Sequence, residues 1–328
     1  MKAFVTGATG FIGASIVREL LKDGCEVRVL ARRGSDRRNL AGLEIEVREG
    51  DLGDRDELVK ALSGCDTLFH AAADYRLWTR VPETMYEVNV KGTRNILSAA
   101  LAAGLEKVVY TSSVGTLGNP GDGRPGTETT PVDFSQMAGD YKKSKFLAER
   151  AAESFIEKGL PLVIVNPSTP VGPMDVKPTP TGKIIVDFLN GKMPAYLDTG
   201  LNLIDVEACA RGHVLAARKG SIGEKYILGN RNLTLAEIFE KLSKITGLKA
   251  PKVRLPYYPI LMAAYANHAL SAVTGREPLI PLAGVQMAAK YMYFDTSKAV
   301  RELGLPHMPI EGALERAVDW FRGNGYAR

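Results

Sequence analysis

The first half of the chain alternates short apolar runs with longer segments in which apolar residues recur every three or four positions. Short runs are typical of buried strands, and the longer spacing is typical of helices with one buried face. The predicted strands are 3–6, 26–30, 45–48, 67–70, 107–111 and 162–165, and the predicted helices are 11–22, 54–62, 82–103 and 141–158. This alternation predicts an α/β fold with a doubly wound parallel sheet.

The second half lacks this alternation, because proline and glycine are frequent between residues 167 and 203 and only scattered elements follow. Thr234, with Glu237 three residues later, predicts the start of a helix through a capping box. The predicted elements are helices at 206–218, 234–246, 297–303 and 310–322 and a strand at 225–228. We expect one domain from residues 1–166, with a returning segment at about 204–229, and a smaller mixed α/β domain from 167–203 and 230–328.

Composition and charge narrow the classes of function. The 328 residues are 45% apolar and 24% charged, which is typical of globular proteins, and the formal charge of +5 includes no run of five basic residues. Nucleic-acid binding is therefore not expected. Three widely spaced cysteines predict neither a disulfide framework nor a metal site. The apolar run after Met1 ends at Gly7, too early for a signal peptide, so a cytoplasmic location is expected.

A glycine turn joins the first predicted strand to the first predicted helix. Gly7 permits a tight turn, Gly10 lets the backbone approach a pyrophosphate, and Gly13 lets the helix pack closely on the strand. The helix N-terminus then offers unpaired N–H groups to phosphates. The alternative is a glycine-rich turn without a ligand. The predicted contacts to a dinucleotide are Gly7, Thr9, Gly10, Phe11, Ile12 and Gly13.

The end of the second strand predicts which dinucleotide binds. An NAD site usually places a carboxylate there, but the chain has Ala31 followed by Arg32 and Arg33. A guanidinium matches the charge and geometry of a 2′-phosphate, and Arg37 and Arg38 are expected to strengthen the positive field. We therefore expect NADP, with NAD as the alternative; a solvated basic loop is the third interpretation.

Residues at the ends of the next strands complete the predicted cofactor site. Asp51, followed by Leu52, is expected to accept a hydrogen bond from the adenine amino group. Small residues after the fourth strand leave room for phosphates and the second ribose; they are Ala71, Ala72 and Ala73. His70, alone at the end of an apolar strand, is expected to be structural.

Candidate catalytic residues follow the fifth strand. Tyr141 and Lys145 are four residues apart near the start of a helix, so they share a face. A free phenol has a pKa of about 10, and a neighbouring ammonium is expected to lower it. Ser113 follows Thr111 at the strand end and is expected to bind the substrate oxygen. The chance occurrence of this pair on an exposed helix is the alternative.

Four motifs together resemble the extended short-chain dehydrogenase/reductase superfamily, whose members include NAD-dependent epimerases and dehydratases. They are Thr6-Gly7-Ala8-Thr9-Gly10-Phe11-Ile12-Gly13, Asn89-Val90-x-Gly92-Thr93, Tyr141-x-x-x-Lys145 and Asn166-Pro167-x-x-x-x-Gly172-Pro173. Val109-Tyr110-Thr111-Ser112-Ser113 and Val165-Asn166-Pro167-Ser168 are similar to the dihydroflavonol 4-reductase branch. The segments 70–78, 166–173 and 177–182 resemble bacterial hopanoid-associated sugar epimerases.

The resemblance implies a role for each motif residue. Ser113 would orient a carbonyl, Tyr141 would donate a proton, and Lys145 would tune Tyr141 and hold the ribose. Asn89 would support the site through a water to Lys145. Pro167 and Ser168 would lie near the nicotinamide. Many epimerases of the superfamily have Asp after the second strand, and this chain does not.

Three functions remain open from the sequence. The first is an NADPH-dependent reductase of an aldehyde or ketone. The second is a sugar epimerase or dehydratase that retains its cofactor. The third is a non-catalytic dinucleotide sensor, although such sensors typically lose the tyrosine or the lysine. Homodimer formation is also left open.

One uncharged segment bears on the substrate. Residues 255–275 contain no Asp, Glu, Lys or Arg and include many large apolar side chains, but prolines and polar residues argue against a membrane span. We expect a core helix of the smaller domain. The alternative is an apolar lip for a lipid-like substrate, or a shallow membrane contact. Together with the resemblance, this segment suggests that the substrate is a sugar-like or polyol carbonyl on an apolar body such as a hopanoid side chain.

Overall fold

The computed structural model describes residues 1–327, and this part of the chain contains twelve strands and eleven α-helices. The strands are β1 (Lys2–Thr6), β2 (Glu26–Ala31), β3 (Glu46–Glu49), β4 (Thr67–His70), β5 (Lys107–Thr111), β6 (Leu162–Pro167), β7 (Thr169–Val171), β8 (Ala195–Leu197), β9 (Gly200–Asp205), β10 (Lys225–Leu228), β11 (Arg231–Thr234) and β12 (Val253–Leu255). The helices are α1 (Phe11–Lys22), α2 (Arg55–Leu62), α3 (Pro82–Tyr86), α4 (Gly92–Ala103), α5 (Gly139–Glu157), α6 (Pro180–Leu189), α7 (Val206–Lys219), α8 (Leu235–Thr246), α9 (Tyr257–Thr274), α10 (Leu282–Met287) and α11 (Ile310–Gly323).

Seven strands form a parallel sheet in the order β10-β6-β5-β4-β1-β2-β3. Strand β1 pairs with β2 on one side and with β4 on the other, so the order of the strands reverses between β1 and β4. In sheets of this kind a crevice for a ligand opens at that reversal, beyond the carboxyl ends of the strands. The predicted α/β fold with a doubly wound Rossmann sheet is confirmed.

Both faces of the sheet are covered by helices. Helices α1 and α7 pack on one face, where Ile16, Leu20 and Val214 are buried. Helices α2, α4 and α5 pack on the other face, where Leu58 and Ile96 are buried. Helix α7 and strand β10 thus return the chain to the large sheet after residue 205.

A smaller mixed layer is built from the remaining strands. One sheet has the order β11-β9-β7, and β12 pairs with β8. Helices α6, α8 and α11 pack around a separate apolar cluster that includes Phe188, Phe239 and Phe321. Strands β7, β8, β9, β11 and β12 were not predicted, because most have only three or four residues and their partners are distant in sequence.

Several predicted helices have different bounds. The helix expected at 82–103 consists of α3 and α4 joined by a π-helical segment, Glu87–Lys91. The helix expected at 297–303 is π-helical over Ala299–Leu303. Helix α5 begins at Gly139, so Tyr141 lies in its first turn. The capping box of Thr234 and Glu237 is present at the start of α8.

The prediction of a core helix at 255–275 is wrong. Helix α9 forms there, but only Ala264 and Ser271 are buried in it. Tyr258 is 77% exposed and Val273 is 88% exposed, which is unusual for large apolar side chains. No carboxylate or ammonium interrupts this surface, so α9 presents an apolar face to the surroundings.

Candidate active site

A cleft of about 1370 Å³ runs along the carboxyl edge of the large sheet. The glycine turn and the loop after β2 line one end, and residues of α5, α9 and α10 line the other. All the predicted cofactor-binding residues contribute to its wall: Gly7, Thr9, Gly10, Phe11, Ile12, Gly13, Arg32, Arg33, Asp51, Leu52, Ala71, Ala72, Ala73, Thr111, Tyr141, Lys145, Pro167 and Ser168. Ser113 also lines the cleft, and Asn89 does not.

The glycine turn brings the N-terminus of α1 to the cleft. Gly7 has a φ of +73°, and a side chain there would come within 2.6 Å of the Ala72 backbone nitrogen. A side chain at Gly13 would come within 2.1 Å of the Gly7 carbonyl oxygen, so the helix packs directly on the turn. Gly10 precedes α1, and no side chain caps the first N–H groups. These groups are therefore available to bind a pyrophosphate.

The loop after β2 carries two arginines without a carboxylate partner in the described structure. Arg32 and Arg33 are exposed and line the cleft. Ser35, which sequence reasoning missed, lines it beside them and donates from its hydroxyl to the Arg32 carbonyl oxygen at 2.8 Å. The two guanidinium groups are donors that fit a phosphate on the adenosine ribose.

The other arginines of this loop are engaged elsewhere. Arg37 forms an ion pair with Glu49 at 2.5 Å, and Arg38 forms one with Asp36 at 2.8 Å. The expectation that Arg37 and Arg38 strengthen the field at the ribose is therefore wrong, because neighbouring carboxylates offset their charges.

The Asp51 carboxylate faces its own turn. Its Oδ1 accepts a hydrogen bond from the Gly53 N–H at 2.9 Å. The side chain lines the cleft beside Leu52, so its second oxygen is the acceptor available to an adenine amino group. The predicted adenine contact stays a prediction.

Lys145 is buried beneath the cleft. Its Nζ donates to the Thr111 carbonyl oxygen at 2.7 Å and to the Tyr110 hydroxyl at 3.2 Å. Burial lowers the pKa of Lys145 to about 8, although the Glu149 carboxylate acts in the opposite direction. These bonds fix the ammonium at the end of β5.

Tyr141 and Ser113 are neighbours at the cleft wall. Burial raises the pKa of Tyr141, and a hydrogen bond with Ser113 opposes that increase. The expected lowering of this pKa by Lys145 does not occur here, since the ammonium is bonded to Thr111 and Tyr110. The Ser113 Oγ accepts from the Gly115 N–H at 3.0 Å, which leaves the hydroxyl hydrogen for another acceptor.

Asn89 has a different set of partners from the one expected. Its Oδ1 accepts from the Asp74 N–H at 2.7 Å, and its Nδ2 donates to the Asp74 carbonyl oxygen and to Ser144 Oγ, both at 2.9 Å. The expected water bridge to Lys145 stays a prediction. Asn89 thus ties the loop after β4 to α5 from within the π-helical segment.

A buried carboxylate, Glu149, was missed by sequence reasoning. It accepts hydrogen bonds from Ser112, Thr116 and Asn166 and forms an ion pair with Lys225 at 2.6 Å. Burial acts to raise the pKa of Glu149, but Lys225 and the hydroxyl donors outweigh it, so the pKa is lowered. The only signal in the sequence is an acidic residue one helical turn after Lys145.

The end of β6 has polar atoms without partners in the described structure. Asn166 Oδ1 and Ser168 Oγ are buried and make no hydrogen bond to any atom of residues 1–327. Pro167 and Ser168 line the cleft, and their expected place near the nicotinamide stays a prediction. The free first-turn N–H groups of α1 and the unpaired Ser168 hydroxyl together fit the two ends of a dinucleotide.

His70 has no free nitrogen for chemistry. Its Nδ1 is hydrogen-bonded to Thr6 Oγ1 at 2.7 Å and its Nε2 to Thr93 Oγ1 at 3.0 Å. Burial, assisted by the nearby charge of Lys145, lowers the pKa of His70 to about 3. It is a neutral packing residue, in agreement with the expectation.

Apolar side chains form part of the cleft wall, together with polar ones such as Lys183 and Asp187. The apolar lining residues include Leu77, Leu197, Ile260, Leu279, Ile280, Val285 and Met292. Lys142, which follows Tyr141, lies among them and was not singled out from the sequence. Tyr75 also lines the cleft and donates from its hydroxyl to the Lys177 carbonyl oxygen at 2.9 Å.

Within residues 1–327, no group of three or more His, Cys, Asp or Glu side chains is arranged to hold a metal ion. Over the same residues, none of the helices combines the length and the apolar character needed to cross a membrane. Cys25, Cys65 and Cys209 are buried free thiols.

Comparison with known proteins identifies the family. Residues 3–229 match the model of the NAD dependent epimerase/dehydratase family. The chain is 49% identical over 99% of its length to a Synechocystis protein provisionally named dihydroflavonol 4-reductase, and it covers 96% of that protein. It is 34% identical to sterol demethylase protein B of Methylococcus capsulatus, with 99% of each chain covered. The crystal structure of gox2253 is similar, with a TM-score of 0.90, 49% identity and 99% of each chain covered. The chain therefore belongs to the NAD dependent epimerase/dehydratase family and is an NAD(P)-dependent oxidoreductase of the extended short-chain dehydrogenase/reductase type.

Proposed function

We propose that this protein is an NADPH-dependent reductase of an aldehyde or ketone, with Tyr141 as the proton donor. The observation that carries the proposal is that one cleft is lined by Arg32 and Arg33, which have no carboxylate partner within residues 1–327, and by the neighbouring Ser113 and Tyr141. Residues 1–166 and the segment at about 204–229 would bind the dinucleotide, and the smaller layer would bind the substrate.

The preference for NADPH rests on the end of β2. A carboxylate at this point would accept hydrogen bonds from ribose hydroxyls and repel a 2′-phosphate. Ala31 stands at the strand end, and Arg32 and Arg33 follow it. Two guanidinium groups without carboxylate partners in the described structure favour the phosphorylated ribose.

Ser113 and Tyr141, at the nicotinamide end of the dinucleotide, have different roles in carbonyl reduction. NADPH, when bound, supplies the hydride. Ser113 donates its hydroxyl hydrogen to the substrate oxygen and orients the carbonyl. Tyr141 transfers its phenolic proton to that oxygen as negative charge develops on it. The raised pKa of Tyr141 keeps it protonated at neutral pH, as a proton donor must be.

Lys145 acts from its buried position beneath the cleft. The Thr111 carbonyl oxygen and the Tyr110 hydroxyl hold its ammonium at the end of β5. There its remaining N–H would donate to the nicotinamide ribose.

The substrate end favours a carbonyl carried on an apolar body. Leu279 and Ile280, just after α9, line the cleft, while exposed residues of α9 extend the apolar surface outward. A lipid-like molecule could pass from a lipid surface along α9 into the cleft. The resemblance to hopanoid-associated proteins points to a sugar-like or polyol carbonyl on a hopanoid side chain.

The second candidate is a sugar epimerase or dehydratase, which the family match favours. Such an enzyme keeps its cofactor between half-reactions. The arginines after β2 distinguish this chain from the epimerases of the superfamily that have Asp there.

Cofactor retention separates the two candidates. Protein purified without added nucleotide should contain little cofactor and should consume NADPH when a carbonyl substrate is added. Tightly retained NAD, with no net consumption of NADPH across a panel of aldehydes and ketones, would support the epimerase and contradict the reductase.

A further inference from the structure

Lys142 is a cation that the mechanism above does not use. It lies in the first turn of α5, directly after Tyr141. A positive charge at this end of a helix is unfavourable, because the N-terminus already carries a partial positive charge. Stability of the helix alone therefore gives no reason for a lysine here.

The side chain of Lys142 lies beside the reacting groups. A side chain built at Gly115 would be 3.2 Å from Ser113 Oγ and 3.5 Å from Lys142 Cε, so both flank the same small space. The Lys142 Nζ is 3.9 Å from the Met292 sulfur, its only hydrogen-bond contact within the described residues. Lys142 also lines the cleft.

No carboxylate neutralises this ammonium in the described structure. The nearest acidic residue in sequence, Asp140, accepts a hydrogen bond from the Tyr86 hydroxyl instead. Burial, followed by the positive charge of Lys290, lowers the pKa of Lys142 to about 8. A partly buried cation without a counter-charge is costly, and a bound anion would remove that cost.

The surroundings indicate which anion fits. The contacts of Lys142 are with Gly115 and Met292, whereas the phosphate-binding glycine turn and Arg32 line the opposite end of the cleft. Lys290 is close to Lys142 but does not line the cleft, so one ammonium at this point of the wall is available to balance one negative charge. A carboxylate has that charge, and a phosphate dianion would be left partly uncompensated.

We propose that Lys142 binds a carboxylate on the substrate, close to the carbonyl that Ser113 and Tyr141 engage. The preferred substrates are then oxo acids with an apolar body. Reduction adds a hydride to the carbonyl carbon and a proton to its oxygen, giving a hydroxy acid, and the carboxylate is unchanged. This inference rests on the proposed reductase function.

A matched pair of substrates tests the site. The probes are 2-oxooctanoate and 2-oxooctanamide, which share chain length and carbonyl position and differ in charge. We expect wild-type kcat/KM to favour the acid, and Lys142→Met to reduce the acid-to-amide ratio by about 10- to 100-fold, as expected for a lost charged hydrogen bond. Lys142→Arg should retain most of the preference. Lys143→Met removes the same charge one residue away, outside the cleft, and should leave the ratio unchanged.

A binding measurement distinguishes failure of the carboxylate-site proposal from failure of the reductase proposal. Calorimetry with octanoate and octanamide requires no turnover; octanoate should bind more tightly to the wild type, and Lys142→Met should abolish the difference. That result without NADPH oxidation would support the carboxylate site and contradict the reductase. Reduction of 2-oxooctanamide with an acid-to-amide ratio unaffected by Lys142→Met would overturn the carboxylate site and leave the reductase standing.

Discussion

Asn166 Nδ2 donates to Glu149 Oε2 at 2.9 Å and to the Ser113 carbonyl oxygen at 3.0 Å. A buried carboxylate on α5 is thereby linked through the end of β6 to the backbone of a proposed catalytic serine. The same carboxylate accepts from Ser112, the neighbour of that serine. Glu149 therefore holds the ends of β5 and β6 in one position relative to α5.

Replacing this carboxylate should destabilise the protein. Glu149→Gln leaves Lys225 with less compensating charge, and breaking a buried pair costs on the order of 3 kcal/mol. Because the pKa of Glu149 is lowered in the folded protein, its contribution is present above the unfolded pKa of about 4.3. It is lost as the pH falls through the lower folded value, so the deficit of the variant should shrink on acidification.

Urea unfolding at neutral and acidic pH measures this effect. Glu153→Gln is the control, because Glu153 pairs with the same lysine at 2.9 Å but is 28% exposed. It should cost at most about 1 kcal/mol. Equal losses in the two variants would contradict the positioning role of Glu149.

The arginines after β2 should determine cofactor preference. Arg32→Ala combined with Arg33→Ala should weaken NADPH binding by about 10- to 100-fold through loss of charged hydrogen bonds. NADH binding should change little, since NADH has no 2′-phosphate. Arg38→Ala in the same loop is the control, because Arg38 is paired with Asp36. Fluorescence titration measures the affinity for each nucleotide. An equal loss of affinity for NADH and NADPH would argue against a 2′-phosphate contact by Arg32 and Arg33.

The pH dependence of kcat/KM for NADPH should reflect the protonation of Lys145. Its pKa of about 8 means that the free enzyme loses the ammonium as the pH rises above that value. The kcat/KM for NADPH reflects ionisations of free enzyme, so it should fall on the alkaline side. Lys145→Arg keeps a charge throughout this range and should remove the alkaline decline from whatever activity remains. Lys142→Met should retain the decline, which separates the two lysines of similar pKa.

Substrates with longer alkyl chains should have a higher kcat/KM, because apolar side chains line part of the cleft. Each buried CH₂ contributes about 0.8 kcal/mol, so kcat/KM across a series of straight-chain aldehydes should rise with chain length until the cleft is filled. Ile280→Asp places a charge in the lining and should flatten that rise, whereas Val253→Asp, outside the cleft, should not. A flat series for the wild type would exclude a lipid-like substrate.

The sequence predicted the large sheet because its strands and helices alternate within short distances. The strands of the smaller layer escaped prediction because β12 (Val253–Leu255) finds its partner Ala195–Leu197 far away in the chain. The apolar composition of α9 could not distinguish a buried helix from an exposed one. The roles of Glu149 and Lys142 could not be predicted, because they depend on partners that are distant in sequence. Lys225 lies 76 residues from Glu149, and Met292 lies 150 residues from Lys142.

The central claim is that this protein reduces a carbonyl with Tyr141 as the proton donor. The most direct test follows NADPH absorbance with a panel of aldehydes, ketones and oxo acids for the wild type, Tyr141→Phe and the control Tyr86→Phe. We predict steady NADPH consumption by the wild type and by Tyr86→Phe. Tyr141→Phe should lose ~10²–10⁴-fold in turnover while binding NADPH normally. Full activity of Tyr141→Phe, or the absence of NADPH consumption by the wild type with every carbonyl, would contradict the account.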